Sequence, residues 1–201
     1  MTCVNKLVFL LTAALLVAAA GCQYVKPDAN QPPDWALRGS GAFTVEKRIL
    51  LAGVGEARGN KDRGALLAAA DETAKTALAK VTAEFIRQAA EDYMTAVRGV
   101  PQDALPNLEM AEVETVLQLA VGVRFPGGKI EGGWLAPAGD RAYALCVLDV
   151  ENIVTAVSSD VRVEEPLRLF VTAQAPLIHG KVAQSVKDNP VLTKGIKESD
   201  L

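Results

Sequence analysis

The chain has 201 residues, of which 50% are hydrophobic, and its formal net charge at pH 7 is −3. This weakly acidic balance, without a dense cluster of lysine and arginine, excludes the charge pattern typical of nucleic-acid-binding proteins and gives no polybasic patch for anionic lipids. The length is typical of one domain with a hydrophobic core.

The chain begins with the pattern of a secretory signal peptide. Lys6 precedes an unbroken apolar run over residues 7–20, and the small residue Gly21 follows. A bilayer-spanning helix takes about 20 apolar residues. The run therefore predicts a cleaved signal over residues 1–21 and not a permanent transmembrane helix.

Cys22 directly follows this predicted signal. The tetrapeptide Ala19-Ala20-Gly21-Cys22 resembles the bacterial lipobox, in which the cysteine thiol is diacylated and becomes the first residue of the mature lipoprotein; Ala19 stands where leucine is commonest. Cys22 is therefore the predicted lipidation site, with fatty acids such as palmitate holding the chain at the membrane. Each buried methylene contributes about 0.8 kcal/mol, so several acyl chains give a stable anchor. The alternative is an ordinary signal peptide followed by an incidental cysteine.

The next segments predict a tether, a strand and two helices. Residues 22–34 contain prolines among polar residues and predict an extended tether, and residues 48–58 predict a strand that contains glycines. Residues 61–97 predict an amphipathic helix of about ten turns, capped by Asn60 or Asp62 and ended by Gly99, and residues 105–121 predict a second helix. The long helix has one charged side and one alanine-rich apolar stripe. The predicted stripe consists of Leu67, Ala70, Ala74, Ala77, Leu78, Val81, Phe85, Ala89, Tyr93 and Val97.

The segment after the second helix predicts strands. Residues 123–125, 129–135 and 141–150 are strand-like, and a turn over residues 137–140 joins the last two in a hairpin. The last strand is apolar on both faces, so it is either central in a covered sheet or in contact with another subunit. Its Cys146 is predicted to be a small buried hydrophobe and not a reactive thiol.

The C-terminal part has a weaker pattern. A short helix is predicted over residues 152–158, and residues 166–186 have a helical composition interrupted by Pro176 and Gly180, with a loose polar end from residue 187. The order strand, helix, helix, strand, strand predicts an α+β fold, in which an antiparallel-rich sheet of about three strands carries the long helix on one face. We expect one domain over residues 35–160 and a helical or loose extension over residues 161–201.

No set of residues in the sequence predicts a catalytic, cofactor or metal site. The motif Gly53-x-Gly55-x-x-x-Gly59 lies between a strand and a helix, as in dinucleotide-binding proteins. The second parallel strand with its terminal acidic residue does not follow, so these glycines are predicted to ease strand–helix packing or to form a bulge. His179 is the only histidine, and neither a cysteine ligand nor a nucleophile motif accompanies it.

Two further sets of residues have both a functional and a structural interpretation. The acidic pairs Glu91-Asp92 and Glu164-Glu165 suit paired-carboxylate hydrolysis, but a solvated charged surface is the preferred interpretation for Glu91-Asp92. Trp35 and Trp134 suit stacking on sugars, but packing in the core or at a domain edge is preferred.

Several short motifs follow one another between residues 33 and 150: Pro33-Asp34-Trp35, Ala52-Gly53-Val54-Gly55-Glu56-Ala57, Gly132-Gly133-Trp134, Tyr143-Ala144-Leu145 and Val147-Leu148-Asp149. In these motifs and their order the chain resembles the small bacterial outer-membrane lipoproteins of the twenty-kilodalton Lpp type, whose relatives include flagellar outer-membrane lipoproteins. The resemblance implies a compact α+β domain with a role in envelope assembly, and it carries over no catalytic residue. Gln23 favours the outer membrane, because in the best-known sorting pathway an Asp at that position retains a lipoprotein in the inner membrane.

The sequence therefore predicts a non-enzymatic, lipid-anchored envelope lipoprotein, a structural or assembly module at the outer membrane with its domain facing the periplasm, in a flagellar or another envelope complex. Its expected partners are the membrane, through acyl chains on Cys22, and a second copy or another envelope protein; nucleic acid, cofactors and metals are not expected. The alternative is a regulatory or ligand-binding module that acts on a cell-wall enzyme or on peptidoglycan. A third hypothesis, an envelope hydrolase, would depend on Glu91 or His179.

Overall fold

The computed structural model describes residues 30–59, 62–98, 109–124 and 128–188. The predicted signal peptide, Cys22 and most of the predicted tether lie outside this part of the chain, as do Gly99 and the end of the chain from residue 189.

The described elements are one short helix, two strands, two helices, two further strands and two further helices. In chain order they are α1 (Asp34–Arg38), β1 (Gly41–Val45), β2 (Arg48–Arg58), α2 (Arg63–Val97), α3 (Met110–Arg124), β3 (Lys129–Leu135), β4 (Arg141–Asp149), α4 (Val150–Ser159) and α5 (Glu165–Asp188). The predicted strand over residues 48–58 and the predicted hairpin are thus present as β2 and as β3 with β4.

The strands form one four-stranded sheet in the order β1–β2–β4–β3, and all neighbours are antiparallel. This confirms the predicted α+β fold with an antiparallel sheet, and it adds one strand to the expected three. The added strand is β1, which pairs with β2 from Gly41↔Ala52 to Val45↔Arg48 through a tight turn. Glu46 in this turn has a φ of 57°, a left-handed conformation that tight hairpin turns use.

Helix α2 begins at an aspartate cap. The carboxylate of Asp62 accepts hydrogen bonds from the backbone N–H groups of Gly64 and Ala65, at 2.8 and 3.1 Å, so one of the two expected caps is confirmed. Buried side chains recur along α2 at helical spacing and include seven of the ten residues of the predicted stripe; Leu67, Ala77 and Val97 are only partly buried, and Leu66, Ile86 and Ala90 are buried in addition. The buried residues are Leu66, Ala70, Ala74, Leu78, Val81, Phe85, Ile86, Ala89, Ala90 and Tyr93.

Helix α2 lies against β2 at a distance that only glycine permits. A Cβ atom at Gly53 would lie 2.2 Å from the carbonyl oxygen of Ala74 and 2.2 Å from the backbone nitrogen of Leu78. At Gly55 it would lie 2.1 Å from the carbonyl oxygen of Ala70 and 2.3 Å from the nitrogen of Ala74. No side chain fits between the two main chains. The predicted packing role of these two glycines is therefore confirmed.

Helices α3 and α5 pack against α2, and α4 packs against α3 and α5 within the same core. Helix α4 matches the short helix predicted over residues 152–158. Helix α3 continues to Arg124, so the predicted strand over residues 123–125 is wrong at Val123 and Arg124. The β-branched residue at 123 suggested a strand, but it directly follows helical turns whose buried Ala120 and Val121 hold α3 against the core.

Helix α5 passes through Pro176 and Gly180 without a break, so the interruption predicted there is wrong. An internal proline costs a helix about 3 kcal/mol. Burial of each large apolar side chain contributes about 1.5–3 kcal/mol, and several on one face of α5 outweigh that cost. The buried residues of α5 are Leu167, Val171, Ala175, Ile178, His179, Val182 and Val186. The core thus continues across the boundary predicted near residue 160.

The sheet face opposite α2 is partly covered by α1. Trp35 lies over Gly132, where a Cβ atom would be 3.3 Å from the indole ring. The rings of Trp134 and Tyr143 lie side by side with centroids 5.9 Å apart. Both tryptophans are half-buried, and Val147 of the central strand β4 is buried on this face. Strand β4 is therefore central in the sheet, with one face buried against α2 and the other partly covered.

The substitution Gly53→Ala tests the contact between α2 and β2. The added methyl group would collide with the main chain of α2, so we expect the free energy of unfolding, measured by urea denaturation, to fall by about 2–4 kcal/mol. The control is Gly133→Ala in β3, where a Cβ atom meets nothing within 4 Å. The control should lie within about 0.5 kcal/mol of the wild type. Equal stability of Gly53→Ala and the wild type would contradict the contact.

Candidate functional site

The predicted lipidation site, Cys22, lies outside the described residues, so the structure does not place it. The described chain begins at residue 30 and leads within a few residues into α1. Because Trp35 of α1 lies on the sheet face opposite α2, the predicted tether joins the domain at this face. The helical layer is on the other side of the sheet.

A groove separates the edge strand β1 from helix α5. Its volume is about 390 Å³, and it is lined by Arg38, by residues 40–44, and by His179, Gly180, Ala183 and Val186 of α5. We call it the β1–α5 groove. A Cβ atom at Gly180 would meet nothing within 4 Å, so this side of the groove is open.

The β1–α5 groove contains the only histidine of the chain. His179 is 6% exposed, and its Nε2 lies 3.2 Å from the backbone carbonyl oxygen of Leu50 in β2. A carbonyl oxygen can only accept a hydrogen bond, so Nε2 donates its N–H in this contact. His179 thereby fastens α5 to the strand next to β1. This role cannot be predicted from the sequence, because Leu50 is distant from His179 in the chain.

Two contacts fix the end of the groove where β1 begins. The hydroxyl of Ser40 accepts a hydrogen bond of 2.9 Å from the backbone N–H of Val54, which lies in β2 two residues beyond Ala52, the partner of Gly41. The guanidinium of Arg38 lies 5.3 Å from the ring centroid of Phe43, within the range of a cation–π interaction. A positive charge thus stands at the rim of the groove.

The outward side of α5 forms a second surface, which we call the α5 outer stripe. It consists of the exposed residues Leu169, Ala173, Pro176, Leu177 and Gly180. Leu169 and Leu177 are 63% and 64% exposed, and the sequence between Leu169 and Gly180 contains no Asp, Glu, Lys or Arg. Large exposed apolar residues without intervening charges are typical of contact surfaces. The stripe is not predicted from the sequence, because Pro176 and Gly180 indicate an interrupted helix there.

Polar contacts hold α5 to the long helix α2. Ser185 donates a hydrogen bond of 2.9 Å to Glu84, and Lys181 donates one of 2.6 Å to Asp92. The charged side of α2 was expected to be solvated; for these two carboxylates that expectation is wrong, because α5 covers them. Arg87 also donates two bonds to Glu84, at 2.7 and 2.9 Å.

The carboxyl of Glu84 has a lowered pKa. The first cause is the hydrogen bonding of the Arg87 guanidinium to the carboxylate, to which the bond from Ser185 adds. Only 14% of the Glu84 side chain is exposed, so these donors are only partly screened by water. The charged form of Glu84 therefore helps to dock α5 on α2.

The acidic pairs singled out in the sequence are engaged separately or exposed. Glu91 forms an ion pair with Arg87 on its own helix, whereas its neighbour Asp92 binds Lys181 of α5. Glu164 and Glu165 are exposed where α5 begins. The two carboxylates of the first pair thus have different partners, so the geometry favours the structural interpretation over paired-carboxylate hydrolysis.

Cys146 is fully buried in the central strand β4, on the face toward α2. Burial raises the pKa of its thiol. A buried, protonated thiol is a poor nucleophile and behaves as a small apolar side chain. This agrees with the role predicted for Cys146.

A smaller cavity of about 240 Å³ opens between α2 and α3. Leu78, Ile86, Val121 and Leu148 give it mostly apolar walls. A polar or ionic molecule would lose its hydration there with little in exchange. The walls of this cavity are therefore mostly apolar, like the side chains of the adjacent core.

The described part of the chain contains no group of three or more histidine, cysteine or acidic side chains placed to bind a metal ion. None of its helices is long and apolar enough to cross a membrane. Comparison of the chain with protein-family models, with curated proteins and with solved structures finds no match in any of the three.

The substitution Glu84→Gln tests the docking of α5. Because the pKa of Glu84 is lowered in the folded state from its ordinary 4.5, the charged carboxyl stabilises the fold above about pH 4.5, and this contribution disappears as the pH falls through the folded pKa. At pH 7 we expect urea denaturation to give a loss of about 1 kcal/mol for Glu84→Gln, and a much smaller difference from the wild type at pH 3.

Glu72→Gln is the matched control on the same helix. Glu72 binds Lys75, also three residues away, but 74% of its side chain is exposed. Its loss should stay below about 0.5 kcal/mol at either pH. A loss for Glu84→Gln that does not change between pH 7 and pH 3 would contradict a charge-dependent contact.

Proposed function

We propose that this chain is a lipid-anchored structural or assembly module of the bacterial cell envelope, rather than an enzyme, and that it associates with a second copy through the α5 outer stripe. The observation that carries the proposal is the stripe itself, an exposed helix face with two large leucines and no charge between Leu169 and Gly180. The lipobox-like sequence ending at Cys22 supplies the anchor, and Gln23 supports the outer membrane with the domain in the periplasm.

The stripe suits a helix-to-helix contact between copies. Leu169, Ala173 and Leu177 follow at intervals of four residues, so they lie on one line along α5. Pro176 and Gly180 extend this line to about 16 Å. Two such helices can pack by a twofold axis, in which each leucine meets the small residues of the other copy.

The anchor would favour such a contact. A tether of about a dozen residues reaches roughly 40 Å at most, so lipid attachment confines the domain to a thin layer at the membrane. Confinement raises the effective concentration of copies, and a weak contact then suffices for assembly. The resemblance to small outer-membrane lipoproteins, with flagellar ones among their relatives, supports a place in an envelope complex of this kind.

The substitution Cys22→Ser tests the anchor. Without the thiol no acyl chain can attach, so a radioactive fatty acid should label the wild-type chain and not the variant, and the variant should leave the membrane fraction. Cys146→Ser, which alters a buried cysteine, is the control and should still be labelled. Unchanged labelling and membrane association of Cys22→Ser would refute the lipoprotein assignment.

The double substitution Leu169→Asp and Leu177→Asp tests self-association. Both side chains are mostly exposed, so the fold should tolerate the change, whereas two carboxylates in an apolar contact would be desolvated without partners. In light scattering at high protein concentration we expect the wild type to associate and the variant to be monomeric. Val161→Asp, at an apolar position that is 94% exposed and off the stripe, should associate like the wild type. A monomeric wild type would contradict the proposal.

A further inference from the structure

The two edges of the sheet differ in how they are protected against further pairing. Edge strand β3 carries Lys129 and Glu131 and has a bulge between Ile130 and Gly132. Charges and bulges on an edge strand discourage the addition of another strand. Edge strand β1, with the sequence Gly-Ala-Phe-Thr-Val, has no charge and no proline. The outer edge of β1 is therefore the one that suits the addition of a strand.

The register of the sheet shows which backbone groups of β1 point outward. The N–H of Val54 in β2 points to the side of β1, because a serine hydroxyl beside β1 accepts its hydrogen bond. Backbone groups alternate in direction along a strand, so Leu50 also points to β1, where it pairs with Phe43. The N–H and C=O groups of Ala42 and Thr44 therefore point away from β2. Within the described ranges, no strand or loop forms a backbone hydrogen bond to that side.

The outward side of β1 lies along the β1–α5 groove. Ala42 and Thr44 line this groove on one side, and Gly180, Ala183 and Val186 of α5 line it on the other. Its volume of about 390 Å³ falls in the range of about 300–1,000 Å³ that ligand sites occupy. The groove thus offers backbone donors and acceptors on its strand side and an uncharged wall on its helix side.

The rim of the groove carries a positive charge without a described acidic partner. The guanidinium of Arg38 is exposed and lies over the ring of Phe43. None of the ion pairs among the described residues includes Arg38. A guanidinium presents several N–H donors in one plane, a geometry that matches a carboxylate. The charge at the rim therefore favours an acidic ligand.

We propose that the β1–α5 groove binds an extended peptide segment of a partner protein, which adds to the outer edge of β1 and places an acidic side chain beside Arg38. Backbone groups along a strand edge are matched by another extended main chain, so this surface suits a peptide better than a lipid or a small molecule. Apolar side chains of the peptide would contact Ala183 and Val186. The inference goes beyond the assembly function and depends neither on the anchor nor on the α5 outer stripe.

A second copy of the chain suits this edge less well than a separate acidic peptide. Strand β1 contains no acidic residue, so pairing of two β1 strands would bring no carboxylate to Arg38. The other edge strand, β3, carries Glu131, but this residue forms an ion pair with Arg48 and lies at the bulge. The favoured occupant is therefore a segment that brings its own acidic residue.

Peptide binding to the full chain in a mild detergent, measured by fluorescence anisotropy, tests the proposal. The probes are labelled, terminally blocked hexapeptides of valine and threonine with one glutamate at each position in turn, and a matching set with lysine in its place. At least one glutamate peptide should bind with a Kd below about 1 mM. Its lysine counterpart should bind at least about fivefold more weakly, because Arg38 then meets a like charge. In the variant Arg38→Glu this preference should reverse.

The variant Thr44→Pro tests the backbone contact. It removes an N–H that points away from β2 and leaves the pairing of β1 with β2 in place. The affinity for the glutamate peptide should fall at least about tenfold. Thr44→Val keeps the N–H and is the matched control, which should bind like the wild type. The NMR signals of His179, the only histidine, should shift when the peptide is added, because this residue lines the groove.

Amide hydrogen exchange at Thr44 distinguishes the possible occupants of the edge. The N–H of Thr44 should exchange rapidly in the free chain and become protected when the glutamate peptide is added. Protection before any peptide is added would overturn the proposal: a second copy then occupies the edge if dilution removes the protection, and the chain itself does if dilution has no effect. Failure of every glutamate peptide to bind, or an unchanged preference in Arg38→Glu, would also overturn it. The Arg38→Glu result stands even if Thr44→Pro does not fold.

Discussion

The contact of α2 with β2 is made by main chain on both sides. Gly53 and Gly55 bring the strand so close that the carbonyl oxygens of Ala70 and Ala74 would collide with any Cβ atom. The small side chains of the alanines in α2 allow this close approach. Larger side chains at the same positions would hold α2 farther from the sheet. Helices α3 and α5 pack against α2, and α4 packs against both of them, so their positions depend on the same distance.

Much of the fold follows from periodicity and turn residues in the sequence. The α2 stripe, the strands β2, β3 and β4, and the order of these elements were predicted because each has a long or regular apolar pattern. Strand β1 was missed because it is short, begins with glycine, and turns at Glu46 instead of at Asn-Gly or Gly. Helix α5 was judged interrupted because the local cost of Pro176 is visible in the sequence, whereas its burial against α2 is a tertiary effect.

The surfaces were less predictable than the fold. His179 gave no signal because its partner is the carbonyl of Leu50, a group that every residue has. Glu84 and Asp92 were assigned to solvent because α2 alone presents them outward, and only the path of α5 reveals their partners. Cys22 is the opposite case: a short motif predicts its chemistry directly, without any knowledge of the fold.

The central strands β2 and β4 come from distant parts of the chain, since Arg48 and Asp149, which bond across them, are 101 positions apart. Helix α2 packs on β2, and helices α3 and α5 pack on α2. The sheet beneath them is nevertheless incomplete until β4 pairs with β2. Pairing between such distant residues slows folding. In a chain made from its N-terminus, most of the domain is therefore synthesised before its centre can close, and this delay lengthens the time during which the new chain stays unfolded.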